Sequence, residues 1–403
     1  MNGHDIHLFE LILGVLIVAA MLLRVWLGKL GAPSLVGFIL LGFIVRLADN
    51  QFDVLTPYSL HILQFLASTG VFILLFRVGL DSNLHGLIDK LPRAAPIWVG
   101  NVVVSGLPAY LLCRWGFDLA LVPSLFVAVA LTATSIAVSV EMWREADALD
   151  SPDGETLVDV AELDDLSGVA LMALILAAAP VLRLDDGASM LLLAGEVSAL
   201  FVLKVALFGA LCLLLARYGE RHFVRALRST GEPGSALVLL GVGLIIATIG
   251  ALLGFSMAIG AFFAGLIFSR DPEAVRMETA FMPLHGFFTP FFFISIGYMI
   301  DPQSLGSAFG IGGALLVVAV LGKVAGAGLP ALFSTSLSGA LLIGVSMVPR
   351  AEIAMVIGQQ ARELGDWAMP PEVYSAIALI SLATCLTTPF AVRAMLKRRQ
   401  RGR

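Results

Sequence analysis

Charge is the scarcest ingredient of this chain. Of its 403 residues only 14% are Asp, Glu, Lys or Arg, against 59% hydrophobic. A soluble domain carries roughly 25% charged and 45–50% apolar residues. The imbalance excludes an ordinary soluble protein and indicates a polytopic membrane protein. Cysteine is scarce as well: Cys113, Cys212 and Cys385 lie in or beside apolar stretches with no paired spacing. They read as small apolar fillers rather than a disulfide or metal site. GxGxxG, a Walker loop, HExxH and CxxC are all missing, so the expected cofactor is none. A formal net charge of −5 carries no nucleic-acid signature, and the Arg clusters are better explained by topology.

What the chain does have is long hydrophobic runs. At about 20 residues per crossing helix plus short loops, its length accommodates about thirteen. The runs read as spans at 7–28, 33–47, 59–79, 94–113, 119–141, 156–182, 189–216, 235–254, 257–269, 284–300, 306–333, 338–361 and 372–396. The expected fold class is therefore an all-α polytopic membrane protein. Nothing is left over for a soluble domain, and the terminal KRRQRGR is too short to fold or to bind a nucleotide. The first run is too long for a leader's apolar region, follows no basic segment and precedes no A-x-A site, so it reads as a retained span.

Lys and Arg set the orientation. Alternate loops hold Lys29; Arg77, Lys90 and Arg93; Arg144; Arg217, Arg221, Arg225 and Arg228; Arg270 and Arg276. The other set holds Asp49 and Asp53, Arg114, Arg183 with Asp185 and Asp186, Asp301, and Glu363 with Asp366. The bias places the N-terminus outside and the basic C-terminus inside. An odd number of spans agrees.

Two spans look interrupted. The fifth contains LTATSIAVS, whose Thr132, Thr134, Ser135 and Ser139 offer hydroxyls to backbone carbonyls or to an ion. The twelfth contains GVSMVPRAEIAMVIG, where Pro349 removes a backbone donor and clashes with the preceding turn. Interruptions at corresponding places in two halves point to a transporter site. Span five would run inward and span twelve outward, which makes the repeat an inverted one.

The chemistry sits on a few intramembrane charges. Asp164 and Asp165 are adjacent in TLVDVAELDDLSGVALMALILAAAPVL. A carboxylate at membrane depth is costly unless it faces a wet cavity or a partner, so the pair marks a functional site. Consecutive helical residues project about 100° apart, so one lines a cavity while the other turns to a neighbouring helix. Gly168, three residues after Asp165, shares its face and leaves room for an ion or a close helix. Mutual repulsion and partial burial favour a carboxyl that trades a proton for a cation.

Apart from these aspartates, charge within the spans is expected only at Lys323 and at the Arg350–Glu352 pair. Lys323, inside AVLGKVAGAG, is either the ion-pair partner of Asp164 or a lysine snorkelling from a helix end. Arg350 and Glu352 flank the break in span twelve; either they tie unwound backbone into the bundle or they contact the ion. Glu162 shares the face of Asp165 as an outer ligand, a proton relay or a residue at the mouth of a cytoplasmic funnel. Glu141, Asp159 and Glu196 read as ordinary helix-end charges. The run FFTPFFFISIGYMI reads as lipid-facing or packing residues, and Gly260 and Gly265 as points of close helix contact.

ELDDLSG in span six, TATS in span five, LGK in span eleven and VPRAE in span twelve resemble bacterial sodium/proton antiporters, more narrowly the second family of monovalent cation:proton antiporters. FRVGLDSNL, AFFAGLIFSR and FFFISIGYMID support the likeness, which covers essentially the whole chain. The resemblance implies thirteen helices in two inverted five-helix repeats, with crossed discontinuous helices and usually a homodimer. It implies one transporter unit in which residues 1–90 and 217–302 form the dimer panel and 91–182 and 303–397 the ion-carrying core. Residues 183–216 would be the linker helix and 398–403 a basic cytoplasmic tail. Asp165 matches the ion-binding aspartate, Asp164 its neighbour and Lys323 that neighbour's lysine; together the aspartates would hold Na+ transiently. Thr132, Thr134, Ser135, Arg350, Glu352 and Glu162 flank them.

Three departures stand out: Ala351 where the family usually has glycine, Glu162 where an apolar residue is usual, and no nucleotide-binding domain of the potassium-efflux type. The expected function is exchange of cytoplasmic Na+ or Li+ for external H+ in a bacterial inner membrane. The Asp-Asp pair matches the family's electrogenic pattern. A potassium/proton antiporter of the same fold and a passive cation channel are the rivals. An aspartyl enzyme would need facing carboxylates from different helices, which adjacent residues do not supply.

Overall fold

The computed structural model describes residues 3–81, 84–183, 187–214, 232–269 and 278–401. These form fifteen α-helices, with no strand among the described residues. They are α1 (Gly3–Lys29), α2 (Ser34–Phe52), α3 (Pro57–Asp81), α4 (Leu84–Leu111), α5 (Leu121–Thr132), α6 (Ile136–Glu145), α7 (Pro152–Leu182) and α8 (Gly187–Leu214). The rest are α9 (Glu232–Leu252), α10 (Met257–Phe268), α11 (Glu278–Met299), α12 (Leu305–Ala331), α13 (Leu337–Ser346), α14 (Glu352–Leu364) and α15 (Pro371–Arg401). Eight of the described helices are long and apolar enough to cross a membrane. The protein is an integral membrane protein.

Spans five and twelve are each broken, into α5–α6 and α13–α14. Counting each broken pair once leaves thirteen segments, in line with the expected class. The orientation charges Arg217, Arg221, Arg225, Arg228, Arg270 and Arg276, and Asp185 and Asp186, lie outside the described residues.

Helix starts follow local chemistry. Ser151 accepts a hydrogen bond from the Gly154 N–H at 3.2 Å, Pro152 opens α7, and Asp153 and Glu155 face the positive end of its dipole. This start lies earlier than residue 156, because cap and proline outweigh the polar character of the first turn. Asp164 is therefore twelve residues into the helix, about 18 Å from its beginning. Ser256 and Ser336 cap α10 and α13 in the same way, accepting from the N–H groups of Ile259 and Gly339.

The chain divides into two compact units. One comprises residues 1–55, 85–175 and 296–403. Within it α12 packs on α13 and α15, and α15 also touches α2, α5 and α6. Trp143, Leu157, Ile343, Met347 and Val392 form a buried apolar cluster there. Asp159 is not an ordinary helix-end charge: it lies two turns into α7, is 8% exposed and pairs with Lys90 at 2.6 Å.

The other unit comprises residues 56–84 and 176–295. Here α10 packs against α3, α9 and α8. A Cβ on Gly260 would meet the backbone of Ala247 at 2.6 Å, and one on Gly265 would overlap the Phe76 carbonyl. Only glycine allows that approach. Phe291, Phe292 and Phe293 are buried, so this part of the aromatic run packs inward. Lys204 corrects the expectation that the remaining charges keep to segment ends. It lies inside the apolar Gly195–Cys212 stretch and, with Leu200, Phe201 and Ser256, lines a cavity of about 210 Å³.

Candidate functional site

The site is built from backbone that two helices leave unpaired. At the first break the Thr132 hydroxyl donates to the Val129 carbonyl at 2.8 Å. Ala133 then leaves the helical region (φ −65°, ψ 144°), and Ser135 is extended as well (φ −101°, ψ 96°). At the second break Pro349 has no N–H, and the residue before a proline is pushed out of the helical region. Ala351, with φ −145° and ψ −97°, lies outside the helical region as well, and α14 begins only after it.

The two breaks meet. The Ser135 N–H donates to the Pro349 carbonyl at 2.8 Å. The Ser139 hydroxyl donates to the Ser346 carbonyl at 2.7 Å, and the Trp143 indole N–H to the Ser346 hydroxyl at 2.9 Å. Thus α6 lies beside α13, while α5 packs on α14. Each half of one broken helix borders the opposite half of the other, the arrangement of two antiparallel helices crossing at their breaks.

A helix end leaves carbonyls without partners, and in a bilayer each must be satisfied internally. Two buried cations do this. Arg350, 1% exposed, donates to the Val348 carbonyl at 2.6 Å, to Leu131 at 2.8 Å and to Ala319 at 3.2 Å. Its own backbone N–H donates to Thr384 at 3.2 Å, and its carbonyl accepts from the Cys385 thiol at 3.1 Å. Of the two readings left open for Arg350, the geometry is that of a tie between unwound segments. Cys113, Cys212 and Cys385 are buried and unpaired.

Lys323 is the second cation. It is fully buried on α12, away from either helix end. Its ammonium group donates to the Thr132 carbonyl, to the Thr134 hydroxyl at 2.7 Å and to Asp164 Oδ2 at 3.4 Å. Asp164, 1% exposed, has its other oxygen occupied: the Asn101 side-chain amide donates to Oδ1 at 2.8 Å. One turn on, Trp98 donates to the Ser167 hydroxyl at 2.9 Å, which in turn donates to the Asp164 carbonyl at 3.0 Å. Asp164 is thus held from both sides by α4 and α12.

Asp165 differs from its neighbour in every respect. It is half-buried, and among the described residues no hydrogen bond or ion pair engages its carboxylate. Asp164, Glu352, Glu162 and Lys323 are the charges near enough to act on it. A Cβ on Gly168, one turn along the same face, would lie 3.2 Å from Ile353 and 3.7 Å from Ala133. The Asp165 face of α7 therefore abuts the crossing itself.

Glu352 is the first residue of α14, half-buried, where a carboxylate complements the helix dipole. Glu162 is half-buried on α7, three residues before Asp165. Among the remaining polar groups, the Ser135 hydroxyl is buried with no hydrogen-bond partner among the described residues. Asn101, Trp98 and Ser167 did not emerge as candidates from the pattern. Asn101 had a visible signal nonetheless: an amide inside the apolar run IWVGNVVVSG.

Helices in two inverted halves, crossed at unwound breaks beside a carboxylate pair, define a secondary-transporter architecture. The profile described as "Sodium/hydrogen exchanger, transmembrane" matches residues 13–398, and the chain belongs to that family. It is 29% identical to the high-affinity Na+/H+ antiporter NhaS3 of Synechocystis, an alignment covering 96% of this chain and 84% of that protein. It is 26% identical to the Na+/H+-K+ antiporter GerN of Bacillus cereus, over 90% of this chain and 89% of that one. Among solved structures, the sodium proton antiporter MjNhaP1 of Methanocaldococcus jannaschii shares the fold. The TM-score is 0.69 at 14% identity, covering 98% of this chain and 99% of that one.

Proposed function

We propose that the chain is a secondary antiporter that exchanges cytoplasmic Na+, or Li+, for external protons by alternating access. The observation that carries this reading is the contrast between the two aspartates. Asp164 is neutralised inside the protein by Lys323, whereas Asp165 stands half-buried and unengaged at the crossing of the broken helices. A carboxylate so placed takes a hard monovalent cation or a proton, but the site cannot carry both at once, and that exclusion is what couples the two fluxes. Freed carbonyls and the hydroxyls of Thr132, Thr134 and Ser135 supply further oxygens nearby.

In this reading Asp165 is the shared ligand, and Asp164 with Lys323 is the charge partner. Arg350 and Glu352 hold the breaks, and Glu162 lies on the approach. Residues 91–182 and 303–397 would form the moving core, and 1–90 and 217–302 the panel of a homodimer, joined by 183–216. The setting would be a bacterial inner membrane, N-terminus outside. The ion-pairable Asp-Asp motif fits electrogenic exchange. A second reading, K+ for protons on the same fold, is favoured by the likeness to GerN, whose name includes K+.

The deciding measurement is proton flux in proteoliposomes with a pH-sensitive dye, on separate addition of Na+, Li+ and K+. Na+ or Li+ is expected to drive it, and Asp165→Asn, nearly isosteric, should fold yet abolish it. Flux near the wild-type level in that variant would overturn the role of Asp165. Flux driven by K+ alone would favour the second reading.

A further inference from the structure

Asp164 and Asp165 are adjacent, yet only one is free to meet an ion, and what separates them is not the lysine alone. A carboxylate with Lys323 on Oδ2 could still pivot about its side-chain bonds and offer Oδ1 to a cation at Asp165. Oδ1 is instead taken by the Asn101 amide at 2.8 Å, and Asn101 is wholly buried.

The position of that amide is set by backbone rather than by a flexible neighbour. A Cβ on Gly326 of α12 would lie 2.6 Å from the Gly100 carbonyl and 3.1 Å from Asn101 Cα. One on Gly322 would lie 2.8 Å from the Val104 carbonyl and 3.0 Å from Ser105 Cα. Helices α4 and α12 therefore touch main chain to main chain on both sides of Asn101, which leaves its amide little freedom. The amide's own oxygen accepts no hydrogen bond from any described residue, so Asn101 is engaged through its NH2 alone, and its partner is the carboxylate. On the far side, Trp98 and Ser167 fix the main chain of the same turn.

We propose that Asn101 is a positioning residue of the ion site: it clamps Asp164 toward Lys323, so that a bound cation has Asp165 as its single carboxylate ligand. The proposal rests on the antiporter reading above and deepens it. Two carboxylates around one monovalent cation would bind it tightly and release it slowly. A transporter needs the opposite, a site that exchanges its ion at each turn of the cycle. A hydrogen bond to a charged group is among the stronger ones and is enough to hold one rotamer of Asp164 over another.

The test is Asn101→Leu, which keeps the branched shape and heavy-atom count and removes the donor, compared with Asn101→Ser, which keeps a shorter one. Both are measured in proteoliposomes with whichever cation the wild type carries, beside cation-dependent thermal stabilisation in detergent. With the clamp gone Asp164 joins Asp165 around the ion. KM should then fall about tenfold, the scale of one charge-assisted hydrogen bond, while turnover falls with it, and Asn101→Ser should lie between. The cation concentration giving half-maximal stabilisation should drop in parallel.

A merely structural role for Asn101 would lower melting and turnover at unchanged KM, and that result would overturn the proposal. So would a raised KM. If Asn101→Leu does not fold, Asn101→Ser decides alone by the same criterion. Failure of the antiporter reading would show separately, as absent cation-driven proton flux in the wild type; the thermal measurement would then still report whether the variants bind cation more tightly.

Discussion

Replacing Lys323 with methionine is the sharpest probe of how the site is held together. The substitution keeps the unbranched length and most of the volume, so little cavity is created and the change is chiefly the loss of charge. In the wild type the ammonium group sits with no exposed surface, 3.4 Å from Asp164 Oδ2, and also holds the Thr132 carbonyl and the Thr134 hydroxyl. Removing one partner of a buried ion pair costs about 3–5 kcal/mol, because the other charge stays buried without compensation. Asn101 remains on the second oxygen of Asp164, which places the expectation at the lower end. That corresponds to a melting temperature lower by roughly 5–10 °C.

The same reasoning predicts rescue. Combining Lys323→Met with Asp164→Asn removes both charges at once, and exchanging a whole buried pair for neutral groups is close to neutral. The double variant should therefore melt near the wild type, a coupling of several kcal/mol in a double-mutant cycle. Melting is read by scanning fluorimetry, and transport by current on a solid-supported membrane. Either variant is expected to lose electrogenic exchange, since the charge partner is gone. A single variant that melts within about 1 °C of wild type, or a double variant whose loss is merely the sum of the two singles, would refute the account of Asp164 and Lys323 as a buried pair.

Arg350→Lys tests the breaks: an ammonium cannot reach the Val348, Leu131 and Ala319 carbonyls in one plane as the guanidinium does. Lower melting and lost flux are expected, and wild-type values for both would show that the carbonyls have other partners. Gly326→Ala tests the main-chain contact of α4 with α12, where the added methyl would press on the Gly100 carbonyl at 2.6 Å. Overpacking of about 1–3 kcal/mol should lower the melting temperature by a few degrees, and an unchanged value would mean that the helices separate without cost.

Composition alone decided that this chain lives in a bilayer, because so few charges spread over so many apolar residues leave no soluble alternative. Local chemistry decided where two helices fail. Pro349 has no donor to give, and the Thr132 hydroxyl competes for the Val129 carbonyl, so both breaks were visible in VPRAE and TATS. The carboxylate pair was visible too, since Asp164 and Asp165 stand out in an apolar run.

The motif resemblance already matched Asp165 to the ion ligand and Asp164 to the partner of Lys323, but nothing in the pattern showed what else holds Asp164. Only the fold brings Asn101 of α4, 63 residues away, and Lys323 of α12, 159 residues away, onto Asp164, while Asp165 is left at the crossing. By sequence alone Asp159 looks like a helix-end charge, and nothing in the run around Lys204 marks that lysine as lining a cavity. Burial depends on what packs against a helix, and Lys90 comes to Asp159 only when α4 lies along α7. Arg350 shows the same limit. Its sequence position says that a cation stands beside a proline break, but the three carbonyls it binds come from α5, α12 and its own unwound strand. Periodicity and composition report what one helix would bury; the partners of a buried charge belong to other helices, and tertiary structure alone chooses them.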